Sequence, residues 1–178
     1  MRQRLPGAGG RIHFLTHSMG GLVARYLLRV DRPEHLGRVV MLAPPNQGSQ
    51  VAAKLRGLEL FRKVMGPAAQ QLGSGTERIA DLLGPVDFEL GVITGDRPLG
   101  QPTARMIEGP NDGKVAVDEA RVEGMRDFLV VHRGHTFIMN DPEVIGQAAH
   151  FFETGRFRHG PEELRKPRPE ELDGSETQ

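Results

Sequence analysis

The residues most suited to chemistry lie near the start of the chain, in "IHFLTHSMGGLVARYLL", residues 12–28. A short apolar run ends abruptly in Thr16-His17-Ser18-Met19-Gly20-Gly21, and a helical period begins at once. A serine on such a bend presents its hydroxyl beside the unpaired amides of a helix N-terminus. The Met19 amide can then donate to an oxygen that gains negative charge, as acyl transfer requires. A serine that merely caps a helix would have the same neighbours. The decision therefore rests on whether the chain also supplies a base to take the proton and an acid to orient that base.

Seven histidines are available as the base. His135 stands in a loop directly after an apolar run, in "VVHRGHTFIM". His132 belongs to that run, His150 to a helical stretch, His159 to a charged tail and His13 to the run before the serine. His35 is in a loop, and His17 adjoins the serine itself. Two aspartates compete as the acid. Asp96 follows an apolar run in "VITGDRP", and Asp112 lies in the turn "GPNDGKVAVDEAR". Either also suits an ordinary turn aspartate bonded to its own backbone. Asp118 reads as solvent-facing and Asp127 as a strand boundary.

These groups need elements to hold them. Residues 11–15, the run "RVVMLAPP" from Arg38, residues 89–94 and residues 127–132 read as four short buried strands. Between the first two, Leu22, Val23, Tyr26, Leu27 and Val30 recur at helical spacing with Arg25 and Arg29 opposite. That spacing predicts a helix burying the apolar set. Residues 48–84 read as helical, with Val51, Leu55, Leu58, Phe61 and Met65 on one face, a break at Gly66-Pro67, and a second set in Ile79, Leu82 and Leu83. Asp141-Pro142 opens a last helix, aspartate as cap and proline at its first position. Val144, Ile145, Ala148, Ala149 and Phe152 are expected inward. Alternating strands and helices imply an α/β domain with a mainly parallel sheet.

The run Thr16-His17-Ser18-Met19-Gly20 resembles the nucleophile elbow of the α/β-hydrolase family, in particular small bacterial lipases and esterases. Thr16 stands where glycine is usual in G-x-S-x-G. The resemblance implies the chain order serine, acid, histidine, hence a partial α/β-hydrolase fold carrying Ser18, Asp112 and His135. Asp112 is preferred over Asp96 because the family's acid commonly sits in a D-G-x-V turn. The same resemblance places a lipase-like loop at "LAPPNQGS", where Asn46 and Ser49 also suit plain turn caps, and a helical cap insertion at 48–84. It implies an ester with an apolar acyl group, or a lipid, as substrate. It calls for no cofactor. The expected activity is ester hydrolysis through an acyl-enzyme on Ser18. Transfer of the acyl group to an alcohol, and a catalytically impaired module that binds partners, are the alternatives.

Composition agrees with a small-molecule substrate. Lys and Arg total 23 and Asp and Glu total 23, so no net charge favours nucleic acid or an anionic membrane. The absence of cysteine removes disulfides and thiolate metal sites. No apolar run reaches bilayer length. The opening "MRQRLPGAGG" lacks a signal-peptide core, which gives cytoplasmic localisation by default. The elbow follows the first strand, whereas the family places it after the fifth. The expectation is a C-terminal portion of a hydrolase domain over 1–157. Its first strand would then be an exposed edge open to self-association. Residues 158–178, charged and proline-rich, are expected to be a disordered tail.

Overall fold

The computed structural model describes residues 10–48, 50, 79–100 and 102–160. One sheet of four strands holds β1 (Ile12–His17), β2 (Leu36–Leu42), β3 (Leu90–Gly95) and β4 (Asp127–Val131). They lie in the order β1-β2-β3-β4, each pair parallel. The ladder aligns Thr16 with Met41, Met41 with Val92, and Val92 with Phe128. The helices among the described residues are α1 (Gly20–Val30), α2 (Ile79–Leu83) and α3 (Pro142–Thr154).

Parallel order puts every strand's carboxyl end on one edge of the sheet, and connecting loops there converge. β1 runs two residues further than its apolar stretch suggests, because Thr16 and His17 pair with Met41 and Leu42. The polar "TH" is thus ladder rather than loop, and the bend falls on Ser18.

The two faces of the sheet explain the continuous apolar run in β2. Val40, Leu42, Ile93 and Leu129 pack with Val144, Ala148 and Phe151 of α3. Val39, Met41, Leu90 and Val92 pack on the other side with Ala24 and Leu28 of α1. Val39, Val40 and Met41 are fully buried, as a strand covered on both faces requires. Each such side chain contributes about 1.5–3 kcal/mol of transfer free energy.

The buried face of α1 differs from the sequence expectation. Gly21, Leu22, Ala24, Arg25 and Leu28 are buried, while Val23, Leu27 and Val30 are 39%, 41% and 59% exposed. A cation on the inner face is tolerated because its guanidinium finds acceptors. Arg25 Nη1 donates to the Asn46 carbonyl at 3.1 Å and to Asn46 Oδ1 at 3.2 Å, and Nη2 donates to the Gly84 carbonyl. Burial pushes the Arg25 pKa down to about 10. With Ile12 and Leu15 of β1 also exposed, α1 and β1 present an apolar flank at the sheet's edge. β1 is an edge strand among the described residues.

Helix α3 begins as its sequence indicates. Asp141 caps it by accepting from the amides of Glu143 and Val144, with Pro142 in the first turn. Its inward set is Val144, Gln147, Ala148 and Phe151. Ile145 and Ala149 face solvent, because the helix sits rotated by about one position relative to the apolar stripe. Phe152 is partly buried. The hydrogen bond from Arg133 holds the Asp141 carboxyl below its ordinary value, helped by the capped amides. Asp141→Ala is expected to cost about 1 kcal/mol, the worth of a good N-cap. A depressed carboxyl stabilises the fold above its unfolded value of about 3.9 and loses that effect as pH falls through the lower folded value. Urea unfolding should therefore separate variant from parent at pH 7 and bring them together at strongly acid pH.

The segment after α3 is held where a free tail was expected. Phe157 is buried against Phe151, and its amide donates to Asp127 Oδ2. Arg158 exchanges two hydrogen bonds with the Gln147 side chain. His159 bonds Asp127 Oδ1 at 2.9 Å. Asp127 is thus more than a strand boundary. The rest of the expected tail, Ser49, and most of the expected cap, residues 51–78, lie outside the described residues, as do residues 1–9.

Candidate active site

Ser18 has φ of 53°, a left-handed value that a side chain makes costly. Its amide donates to the Leu42 carbonyl, and its carbonyl accepts from Gly21. The backbone is pinned on both sides, which is how a strained residue persists. Met19 follows as N-cap of α1, at the head of its free amides.

Close packing under the bend falls on Gly21. A Cβ there would lie 3.0 Å from Pro44 Cβ and 3.1 Å from Met41 Sδ. At Gly20 a Cβ would meet Thr16 Cβ at 3.6 Å, an ordinary contact. Threonine is therefore accommodated at a position where the hydrolase elbow has glycine. Its hydroxyl is buried with no hydrogen-bond partner among the described residues, at a cost of about 1–3 kcal/mol.

The loops after β1, β3 and β4 bring Ser18, Asp112 and His135 together. Ser18 Oγ lies 2.9 Å from His135 Nε2, across 117 residues of sequence. His135 Nδ1 lies 2.8 Å from Asp112 Oδ2. A buried carboxylate accepts a hydrogen bond from Nδ1–H and so keeps the proton on that nitrogen, which leaves Nε2 to accept from the Ser18 hydroxyl. Asp112 is fully buried and His135 is 3% exposed. Asp112 Oδ1 accepts from the amides of Lys114 and Val115 at 2.9 and 2.8 Å. Its carbonyl accepts from the His135 amide at 3.0 Å. Backbone bonds from both sides thus fix Asp112 and His135 relative to each other.

Asp96 is placed elsewhere. Its carboxylate bonds the exposed His132 at 2.8 Å, and Ser18 and His135 are not among its partners. His17, beside the serine, packs its ring 5.0 Å from that of His135 and donates from Nε2 to the His135 carbonyl at 3.0 Å. Burial holds its imidazole below the ordinary value, against the opposing effect of that hydrogen bond. His13 accepts from the Arg38 amide within the β1–β2 ladder.

Glycines near the base serve proximity. Gly134 has an extended backbone, φ −92° and ψ 157°, so its value is room rather than turning. A Cβ there would come within 2.5 Å of Leu99 Cδ1. At Gly95 a Cβ would lie 2.1 Å from the Arg133 carbonyl oxygen and 3.1 Å from Asp112 Cβ. The end of β3 therefore has to be bare for the acid and base loops to close over it. Gly95→Ala is expected to force the two loops apart and to cost about 1–3 kcal/mol, the scale of overpacking a filled site. Urea unfolding of variant and parent would measure it.

Sequence reasoning left Asn46 either in a lipase-like loop or as a plain turn cap. It is fully buried, with Nδ2 donating to the Ala120 carbonyl at 2.8 Å. An asparagine between two prolines and a glycine offers no signal of burial, and neither did Arg25, read as outward-facing. Among the described residues no group of three or more His, Cys, Asp or Glu could hold a metal. No helix among them is long and apolar enough to cross a membrane.

A four-stranded parallel sheet with helices on both faces, bent at a serine after an edge strand, can be compared with known folds. The mature form of the Bacillus licheniformis lipase BlEst2 has a similar crystal structure, with a TM-score of 0.56 and 17% identity. The match covers 82% of this chain and 65% of the lipase. The fold is α/β-hydrolase-like. At that identity the likeness carries fold and no more. The chain spans less than two thirds of the lipase it matches. No family model matches the chain, and no curated protein matches it. The expected architecture holds in its four parallel strands and flanking helices.

Proposed function

We propose that the chain cleaves carboxylic esters through an acyl-enzyme, as a serine hydrolase of lipase or esterase type. Ser18 is the nucleophile, His135 the general base, Asp112 the acid that orients it, and the Met19 amide an oxyanion donor. The observation carrying this reading is the continuous path from Ser18 Oγ through His135 to Asp112, at 2.9 and 2.8 Å. As Ser18 Oγ attacks the ester carbonyl, its proton passes to His135 Nε2. Asp112 stabilises the imidazolium without taking a proton. The Met19 amide stabilises the oxyanion. His135 then protonates the departing alcohol, and a water activated at Nε2 releases the acid. The likeness to a lipase fold is consistent with an ester or lipid substrate.

The test is rapid mixing of the chain with an activated short-chain ester. A burst of one leaving group per chain, followed by a slower steady rate, is the kinetic mark of an acyl-enzyme. Absence of a burst, with a steady rate equal to that of buffer, would contradict ester hydrolysis. It would favour the second reading, a binding module, which the exposed apolar residues of β1 and α1 support.

A further inference from the structure

We infer that Asn46, with Arg25, is a positioning residue that fixes the distance between the nucleophile's helix and the acid's loop. The inference rests on the reading of Ser18, His135 and Asp112 as a triad. Arg25 lies in α1, the helix that starts beside Ser18, and grips Asn46 through its carbonyl and Oδ1. Asn46 passes the link on through Nδ2 to the Ala120 carbonyl. Ala120 closes the loop that carries Asp112, within the short 3-10 helix Asp118–Ala120.

Three features make this a joint rather than a chance contact. Asn46 and Ala120 are both 0% exposed and Arg25 is 4% exposed, so water cannot substitute for a lost bond. The amide orientation is unambiguous, because turning it over would set Oδ1 against the Ala120 carbonyl and the amine against Arg25. The flanking residue repeats the connection: the Gln47 amide donates to the Glu119 carbonyl, and its side chain to the Arg121 carbonyl. Glu119 in turn accepts from the Ala116 amide at 2.8 Å, four residues from Asp112.

The base is tied separately. His17 holds the His135 carbonyl, and the His135 amide holds Asp112. With the Arg25–Asn46–Ala120 link, the elbow, acid loop and base loop form a closed ring of hydrogen bonds, buried at every bond but the partly buried one from His17. Opening the ring at Asn46 lets the acid loop, with the base bonded to it, drift from the nucleophile's helix while leaving all three proposed catalytic groups in the chain.

Asn46→Asp tests this in the full chain. The aspartate keeps an acceptor for Arg25 but sets an acceptor against the Ala120 carbonyl. Two readouts are used: the rate at which a fluorophosphonate labels Ser18, and the low-field proton resonance of His135 Nδ1–H. Labelling is expected to slow on the order of 10- to 100-fold. The resonance should shift or broaden. A folded variant with a lower melting temperature but parental labelling rate and resonance would overturn the inference, since stability alone would then be at stake. Should Asn46→Asp fail to fold, Arg25→Lys decides. Lysine keeps the charge but cannot bridge Asn46 and Gly84 together, so the same slowing is expected and parental behaviour would again overturn it. A parent chain that does not label at Ser18 overturns the triad reading and this inference with it. A parent that labels beside indifferent variants overturns the inference alone.

Discussion

Ser18→Ala is expected to reduce ester turnover by on the order of 10⁴-fold or more, leaving only the rate that binding and the Met19 amide sustain. The hydroxyl is the one atom of the proposed path that forms the covalent bond, so nothing else in the site substitutes for it. The fold should survive. Alanine inherits the left-handed backbone at φ 53° without relief, and the Leu42 carbonyl still accepts its amide. A chromogenic ester assay on the folded variant checks the loss. Retention of more than a tenth of parental turnover would remove Ser18 from the mechanism.

Asp112→Asn should cost about 10⁴-fold in turnover while Asp96→Asn leaves it within about twofold. The argument is one of tautomers. An amide at position 112 can present its amine to His135 Nδ1, which must then accept and carry the proton on Nε2 instead. That nitrogen faces Ser18 and would no longer take its proton. The carboxylate is also fully buried, so its replacement leaves the imidazolium uncompensated. Asp96 bonds a histidine that is 68% exposed in its side chain, and a solvent-screened pair of this kind is worth little. The two variants share chemistry and differ only in place. Equal loss in both, or loss only at Asp96, would reassign the acid.

Much of the architecture was legible because it follows from local rules. β2 and β3 are apolar without alternation, and strands buried on both faces need that. Asp141-Pro142 marks a helix start by a donor-acceptor fit confined to four residues. The face of α1 was not legible. Its apolar residues at 23, 27 and 30 point outward, and the inward Arg25 depends on acceptors at Asn46 and Gly84, far along the chain. Spacing cannot reveal a partner 59 residues away. The choice between Asp96 and Asp112 stayed open on residues alone for a similar reason. Asp96 is the nearer to a strand end, yet the acid loop folds back over Gly95. Only the bare glycine hinted that something had to approach there.

The account turns on whether Ser18 is an activated nucleophile. Treating the full chain with a fluorophosphonate at neutral pH, then mapping the adduct by mass spectrometry, measures that directly. A single adduct on Ser18, lost in His135→Ala, is the predicted result. An unmodified chain, or a label on another serine, would contradict the account.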